Sequence, residues 1–246
     1  MKKLVFATIF FNYSLFAANP LPPHPSQAEF KRELGIKVID SKKDKLQGKT
    51  CKIYLVQHGS TEWSEMKRLQ GSSHVPLSEK GKDEVQKLAE KVSALGITAI
   101  YSSPLQSSIE TAEILKSKIP LPVVAVDDLR GEHHGAFEGL SKEQYLKKAR
   151  FQLHYFLPAE EEIFFSCGKG GESVADVGRR AVPAIKKIAS EHLGESVVIV
   201  VHSSVSKLLN FFAGKYKPEE TIGLAHGEMM QIEADATTVY VAKAKL

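Results

Sequence analysis

From residue 52 onward, short apolar runs alternate with longer stretches in which apolar residues recur every three to four positions. A short apolar run bounded by polar residues is typical of a buried strand, and the longer spacing is typical of a helix with one buried face. The segments 229–233 and 238–242 are predicted to form a closing hairpin or edge pair. The other predicted strands lie at 53–56, 98–101, 123–126 and 197–201, and the predicted helices at 79–95, 104–118, 140–156, 174–192 and 205–213.

This alternation predicts an α/β three-layer sandwich, in which a mostly parallel sheet is covered by helices on both faces. Ligands of such sheets bind beyond the carboxyl ends of the strands. His58 and His202 each follow directly after an apolar strand. We therefore expect these two histidines to lie together at a functional site, on the strength of their position alone.

The first 51 residues differ from the rest of the chain. Met1-Lys2-Lys3 and the mostly apolar, uncharged segment that follows to Ala17 are typical of a signal peptide, which is too short to span a membrane. Residues 18–51 are predicted to be a solvated arm rich in proline and lysine, with at most one short helix, and residues 52–246 to be the folded domain. We expect export to the periplasm or the medium, with no stable membrane span in the mature chain.

Composition and charge narrow the classes of function. A hydrophobic fraction of 43% and a charged fraction of 25% are ordinary for a globular protein. The net charge is +4, but the first 52 residues hold ten Lys and Arg against four Asp and Glu, so residues 53–246 carry −2. This distribution argues against a nucleic-acid partner. In an oxidising compartment, Cys51 and Cys167 are either a disulfide or two separate buried thiols.

Six motifs of the body carry a family resemblance. They are LVQHGSTEW at 55–63, RLQG and PLSEKG within 68–81, SSPLQSSIETAE at 102–113, LRGEHHGAFEG at 129–139, GESVADVGRR at 171–180, and VVH at 200–202. In this order they resemble the histidine phosphatase superfamily, which includes cofactor-dependent phosphoglycerate mutases and broad phosphomonoesterases. The resemblance covers essentially the whole body and implies the phosphoglycerate mutase-like form of the fold predicted above.

The resemblance also implies a mechanism. In that family the first histidine attacks a phosphoryl group, the second histidine and two arginines hold the phosphate, and an acid protonates the leaving oxygen. A neutral imidazole is a nucleophile near pH 7, and guanidinium groups match phosphate oxygens in pairs. Carried over, His58 is the nucleophile and His202 is its phosphate-binding partner.

Several positions depart from the family's pattern. Gln57 and Ser107 stand where the family has its two arginines, Ser64 where it has an asparagine, Gly131 where it has the acid, and Ser203 and Ser204 where it has two glycines. We assign phosphate binding to Gln57, Ser64, Ser107 and Ser203, and the acid role to Glu132. His133 and His134 are alternative proton donors, Arg68, Arg130 and Lys207 are alternative cations, and Glu172 and Arg180 are expected to be structural.

Two functions remain open from the sequence. One is an exported phosphomonoesterase that acts through phospho-His58 on a phosphorylated small molecule or phosphoprotein, with activity reduced by the lost arginines and acid. The other is a pseudophosphatase that binds a ligand or an envelope protein. The resemblance implies no cofactor and no metal. A metal site of His58, His202 and His133 or His134 is a third interpretation, which no metal-binding spacing in the sequence supports.

Overall fold

The computed structural model describes residues 24–41, 43–148, 159–166, 168–214 and 223–243. Their strands form one seven-stranded sheet in the order β1-β7-β6-β2-β5-β3-β4. The strands are β1 Ile36–Ile39, β2 Cys51–Gln57, β3 Ile97–Ser102, β4 Val123–Ala125, β5 Ser196–Val201, β6 Met229–Ala234 and β7 Val239–Ala242. Every strand predicted from the apolar runs is present.

The sheet is mostly parallel. The two central strands β2 and β5 pair in parallel, and β3 and β4 continue that direction on one side. On the other side β6 runs antiparallel to β2 and forms a hairpin with β7, as predicted, while β1 pairs in parallel with β7. The edge strand next to the β6–β7 hairpin is therefore β1, the first of the described strands.

Helices cover both faces of the sheet. They are α1 Gln27–Leu34, α2 Glu62–Glu65, α3 Glu79–Ser93, α4 Gln106–Lys116, α5 Lys142–Leu146, α6 Ala159–Glu162, α7 Val174–Glu191 and α8 Ser203–Phe212, with short 3-10 turns at Asp127–Leu129 and Gly135–Phe137. One core lies under α1, α7 and α8, and a second lies under α3 and α4. Alternate residues of β2 enter the two cores, Leu55 the first and Val56 the second. This confirms the three-layer α/β architecture.

The segment 18–51 is not a solvated arm throughout, which corrects the prediction for residues 27–39. The Ser26 side chain caps α1 in a capping box with Glu29, and Gly35 ends the helix in the left-handed conformation with a φ of 66°. Phe30 and Leu34, one helical turn apart, are buried in the larger core. The segment therefore belongs to the folded domain.

Three predictions fall wholly or partly outside the described residues. The signal peptide of residues 1–17 and the thiol of Cys167 are among them, so export and a Cys51–Cys167 disulfide stay predictions. The helix predicted over 140–156 is described only as α5, because residues 149–158 are not described. Among the described residues, no helix is long and apolar enough to cross a membrane.

Candidate active site

Three histidines lie together at the C-terminal ends of the two central strands. His58 directly follows β2, and His202 directly follows β5, where it is the N-cap residue of α8. His226 lies in the turn that leads into β6. Because β6 runs antiparallel to β2, the N-terminal end of β6 lies beside the C-terminal ends of β2 and β5. His58 and His202 therefore lie close together, as their positions in the sequence predict, and a third imidazole lies beside them.

His58 is held in a defined orientation. Its side chain is buried, and its Nδ1 lies 2.8 Å from the carbonyl oxygen of Gly59. A carbonyl only accepts, so this contact places the ring proton on Nδ1 and leaves the lone pair on Nε2. Burial, and then the neighbouring His226 ring, lower the pKa of His58 to about 3 from the usual 6.5, against the opposing effect of the Gly59 contact. The ring is therefore neutral near pH 7, as a nucleophile must be.

His202 lies beside His58, and two serine hydroxyls hold its ring in place. The centroids of the two rings are 4.8 Å apart. The Nε2 of His202 lies 2.9 Å from the hydroxyl of Ser103, which directly follows β3, and 3.2 Å from that of Ser108 in α4. Burial, followed by the charges of the surrounding groups, holds the pKa of His202 well below its usual value. Its remaining ring nitrogen, Nδ1, faces the backbone of Gly131.

His226 is the residue that the sequence motifs do not reveal. Its ring centroid lies 5.0 Å from that of His58, and its Nδ1 lies 3.0 Å from the His58 carbonyl oxygen. The backbone N–H of Gly227 also points toward this region and donates to the carbonyl of Gln57 at 3.2 Å. The only sequence signal for His226 is its place three residues before β6, which becomes informative once the direction of β6 is known.

The loop that carries Gly131 and Glu132 is held by one guanidinium group. Arg180 donates to both carboxylate oxygens of Glu172 at 2.8 Å. It also donates to the carbonyl oxygens of Asp128, Arg130 and Gly131 at 2.7–2.9 Å. Glu172 in turn accepts a hydrogen bond from the backbone of His133 at 3.0 Å. Arg180 and Glu172 are therefore structural, as expected, and they support the wall of the site.

A cavity of about 400 Å³ opens above the three imidazoles. Six of the seven residues assigned to the site from sequence line it: His58 and His202, together with Gln57, Ser64, Ser203 and Glu132. Glu132 lies 3.5 Å from Nδ1 of His134, which also lines the cavity. The Ser64 hydroxyl serves the cap of α2, donating to the carbonyl of Thr61 at 2.8 Å. Ser204, which directly follows Ser203, is a further lining residue.

Ser107 does not fit its assigned role. Its side chain is fully buried and is not one of the residues that line the cavity. The Nε2 of Gln70 donates to the Ser107 hydroxyl at 3.3 Å, and Gln70 rather than Ser107 reaches the cavity wall. The prediction that Ser107 contacts phosphate is therefore not supported by this geometry, because a serine is too short to pass Gln70.

Two buried polar atoms of the cavity wall have no hydrogen-bond partner among the described residues. They are Oε1 of Gln57 and Oγ of Ser204. Both side chains are at least 95% buried. An unpaired buried polar group costs about 1–3 kcal/mol, so this wall is arranged to interact with a polar ligand. Ser204 also lies in the first turn of α8, where backbone N–H groups favour anions.

The charges around the cavity nearly cancel. Arg68 and Lys207 are the cationic lining residues, and Glu132 is the anionic one. Lys207 is already paired with Glu162 at 2.6 Å. Arg130, in contrast, lies at the surface and pairs with Asp127. The cavity therefore offers a phosphate less fixed positive charge than two arginines would.

His133 is a loop residue whose Nδ1 accepts a hydrogen bond from the backbone of Gly135. It is not one of the residues that line the cavity. In the part of the chain that the structure describes, no group of three or more His, Cys, Asp or Glu side chains is arranged to hold a metal ion. The metal site raised as a third interpretation has no counterpart there.

Comparison with known proteins gives the family. The family model of the histidine phosphatase superfamily (branch 1) matches residues 53–242. Phosphoglycerate mutase-like protein 4 of Arabidopsis thaliana is 32% identical over 161 residues, covering 65% of this chain and 69% of that protein. Phosphoserine phosphatase 1 of Hydrogenobacter thermophilus is 32% identical over 153 residues, covering 62% of this chain and 71% of that protein.

Solved structures of related proteins have the same fold. Bacillus stearothermophilus YhfR is similar with a TM-score of 0.67 and 29% identity, over 78% of this chain and 95% of that chain. The relatives support an activity of the phosphatase type on phosphorylated substrates. The matched region runs from β2 to β7, leaving out only β1 among the strands, and contains all three histidines of the site. The chain belongs to the histidine phosphatase superfamily, branch 1.

Proposed function

We propose that this chain is a phosphomonoester hydrolase in which His58 is the nucleophile. The observation that carries the proposal is the state of the His58 ring, which is buried, neutral and anchored through Nδ1 to the Gly59 carbonyl. Its Nε2 is then the atom available to a phosphorus centre in the cavity. The substrate is a phosphorylated small molecule or a phosphorylated protein side chain, either of which a cavity of about 400 Å³ admits.

The reaction has two steps. Nε2 of His58 attacks phosphorus and forms a P–N bond while the bond to the leaving alkoxide breaks, and Glu132 donates a proton to that oxygen. Water then attacks the phosphohistidine, Glu132 takes a proton from the water, and the P–N bond breaks to release phosphate and the neutral imidazole. His202 donates Nδ1–H, the ring nitrogen that does not contact Ser103 or Ser108, to the phosphoryl group during both steps.

Glu132 suits the acid role better than a residue at position 131. It lines the cavity beside His134. A Cβ atom at Gly131 would lie 2.8 Å from the carbonyl oxygen of Gly71 and 3.1 Å from Cγ of His202. A side chain at 131 therefore requires the loop or the His202 ring to move, and the acid function passes to the next residue.

We further propose that the rate is reduced relative to a site with two arginines. Gln57 and Ser107 stand at the arginine positions, and a hydrogen bond to a charged group contributes about 1.5–3 kcal/mol. Two such losses amount to about 3–6 kcal/mol, or roughly 10²–10⁴-fold in rate. Arg68 and the α8 N-terminus offset part of this deficit.

The test is hydrolysis of p-nitrophenyl phosphate by the purified full chain. We expect slow turnover, and His58→Ala should abolish it. His74→Ala, which changes an exposed histidine outside the cavity, should leave the turnover intact. Acid-quenched reactions with labelled substrate should contain an acid-labile phosphoryl group only when His58 is present. Equal rates for wild type and His58→Ala contradict the mechanism.

The alternative function is a pseudophosphatase that binds a ligand or an envelope protein. The observation that favours it is the near-neutral cavity, where Lys207 is paired with Glu162. Gln57→Arg distinguishes the two, since it adds a guanidinium without filling position 131. Under the first proposal it raises an existing rate by about 10–100-fold. Activity that appears only in this variant, with none in the wild type, establishes the alternative.

We also propose that the chain is exported. The positive start and apolar segment of residues 1–17 support this. Expression of the full chain in a Gram-negative host, with fractionation and mass spectrometry, should give a shortened protein in the periplasm or medium. Leu15→Arg within the apolar segment should retain the chain inside the cell, and Asn19→Arg beyond it should not. A full-length cytoplasmic product from the wild type contradicts export.

A further inference from the structure

His226 is a cavity residue to which neither the motifs nor the mechanism above gives a role. It lines the same cavity as His58 and His202. Its Nδ1 contacts the His58 carbonyl, which is an acceptor only, so the Nδ1 of His226 carries a proton. In the neutral ring Nε2 is then a bare acceptor. It becomes a donor only when the ring takes up a second proton.

An anionic ligand favours that second proton. A phosphoryl dianion in the cavity meets the cations Arg68 and Lys207, the latter paired with Glu162, and the anion Glu132. These fixed charges nearly cancel, so a further positive charge beside the ligand is strongly favoured. His58 and His202 are fully enclosed and stay neutral, whereas His226 is only half-buried and accommodates a charge at smaller solvation cost.

The remaining groups around His226 do not oppose a positive charge. Its own turn carries Glu228, whose carboxylate accepts from the backbone of Ala225 at 3.2 Å. Glu84 of α3 packs against the backbone of Gly227 and accepts from the backbone of Ser60 at 2.9 Å. Lys80 lies 3.6 Å from Glu84 and is exposed. Two carboxylates and one exposed amine therefore lie near the turn, and none of the three lines the cavity.

We propose that His226 is a phosphate-binding residue that acts as an imidazolium, with Nδ1–H bonded to the His58 carbonyl and Nε2–H donated to a phosphoryl oxygen. Binding of a dianion then takes up a proton, and the proton supplies the positive charge that Gln57 and Ser107 do not. The inference rests on the proposed function of the cavity as a phosphoryl site. It predicts tighter binding of substrate and product as the pH falls below neutrality.

The test uses sulfate, because sulfate stays a dianion from pH 5 to pH 8 and proton uptake then belongs to the protein. Isothermal titration of the full chain in buffers of different ionisation enthalpy should show proton uptake on sulfate binding, averaging about 0.3–0.7 proton per sulfate between pH 8 and pH 5. By linkage, this uptake corresponds to about 10–100-fold tighter binding at pH 5 than at pH 8. His226→Gln keeps a neutral donor and should lose both the proton uptake and most of the pH dependence.

Two matched variants complete the design. His134→Gln changes the other imidazole at the cavity wall beside Glu132, and His74→Gln changes an exposed histidine; both should retain the wild-type proton uptake. If His226→Gln does not fold by circular dichroism, His226→Asn takes its place. Absence of sulfate binding, proton uptake that survives loss of His226, or uptake lost with His134 instead overturns the inference. None of these outcomes depends on turnover, so a failure of the proposed hydrolysis is seen separately with p-nitrophenyl phosphate.

Discussion

Replacing Arg180 with alanine should destabilise the fold and also slow the reaction. The guanidinium group makes five hydrogen bonds, two to Glu172 and three to carbonyl oxygens of the loop that carries Glu132. Its side chain is 20% exposed and that of Glu172 is 29% exposed, so water screens the pair only partly. Because the bonds share one side chain and are not additive, we expect a loss of about 2–4 kcal/mol of the free energy of unfolding.

The measurement combines urea unfolding with kinetics of p-nitrophenyl phosphate hydrolysis. A loss of 2–4 kcal/mol lowers the melting temperature of a chain of this size by roughly 4–16 °C. With the loop released, Glu132 is no longer held at the cavity, so kcat should fall by about 10²-fold or more while KM changes little. Arg180→Lys keeps a charge but not the five donors and should recover only part of the loss.

Arg179 is the matched control. It precedes Arg180 on α7, is 41% exposed, and pairs with Glu33 and Asp176 at the surface. Arg179→Ala should therefore cost no more than about 1 kcal/mol and leave kcat unchanged. Equal stability losses for the two alanine variants refute the reasoning about the clamp. A destabilised Arg180→Ala enzyme with wild-type kcat refutes the link between the clamp and Glu132.

Three further predictions concern other parts of the molecule. Gly131→Ala should lower kcat with a stability loss of about 1–3 kcal/mol, because the new methyl group presses on the backbone of Gly71 and the ring of His202; wild-type kinetics contradict this packing. Phe30→Ala should cost about 3–5 kcal/mol in urea unfolding, since Phe30 is fully buried, and a loss below 1 kcal/mol would mean that α1 is dispensable. The pKa of His58 is lower in the folded chain than in the unfolded one, so the unfolded chain binds more protons between pH 6.5 and about 3. The contribution of His58 to the free energy of unfolding is therefore fully present above pH 6.5 and falls on acidification by at most ~1.4 kcal/mol per pH unit. His58→Gln should flatten urea stability profiles over that range, and profiles parallel to the wild type contradict the assignment.

The layers of the fold follow from the sequence because they depend on burial pattern alone. The apolar runs within β2 and β5, at 53–56 and 197–201, are short but uninterrupted, as is typical of strands buried on both faces. The prediction allowed one short helix in this segment, but neither strand β1 nor the burial of α1 follows from the pattern, because only a few apolar residues, Phe30 among them, stand in a lysine-rich stretch. Its local signals were nonetheless present in the Ser26–Glu29 capping box and in Gly35.

Two features of the site could not be predicted from the sequence: the direction of strand β6 and the reach of individual side chains. His58 and His202 follow parallel strands, so their convergence can be read from the sequence. His226 precedes a strand, and its position depends on the antiparallel direction of β6, which hydrophobic patterning does not specify. Ser107 shares a motif with the site but is too short to reach the cavity past Gln70, a relation that only side-chain packing reveals.

The pairing of β1 with β7 constrains the order in which the chain can fold. Ile36 pairs with Val239, about 200 residues later in the sequence. During synthesis β1 therefore has no partner until almost the whole chain has emerged, and the loop-closure cost of this contact is paid last. Chains in which β7 has not yet formed leave the backbone groups of β1 unpaired, and an unpaired strand edge favours pairing with other chains. The β1–β7 contact therefore makes the pairing of the earliest described strand depend on the formation of the latest one.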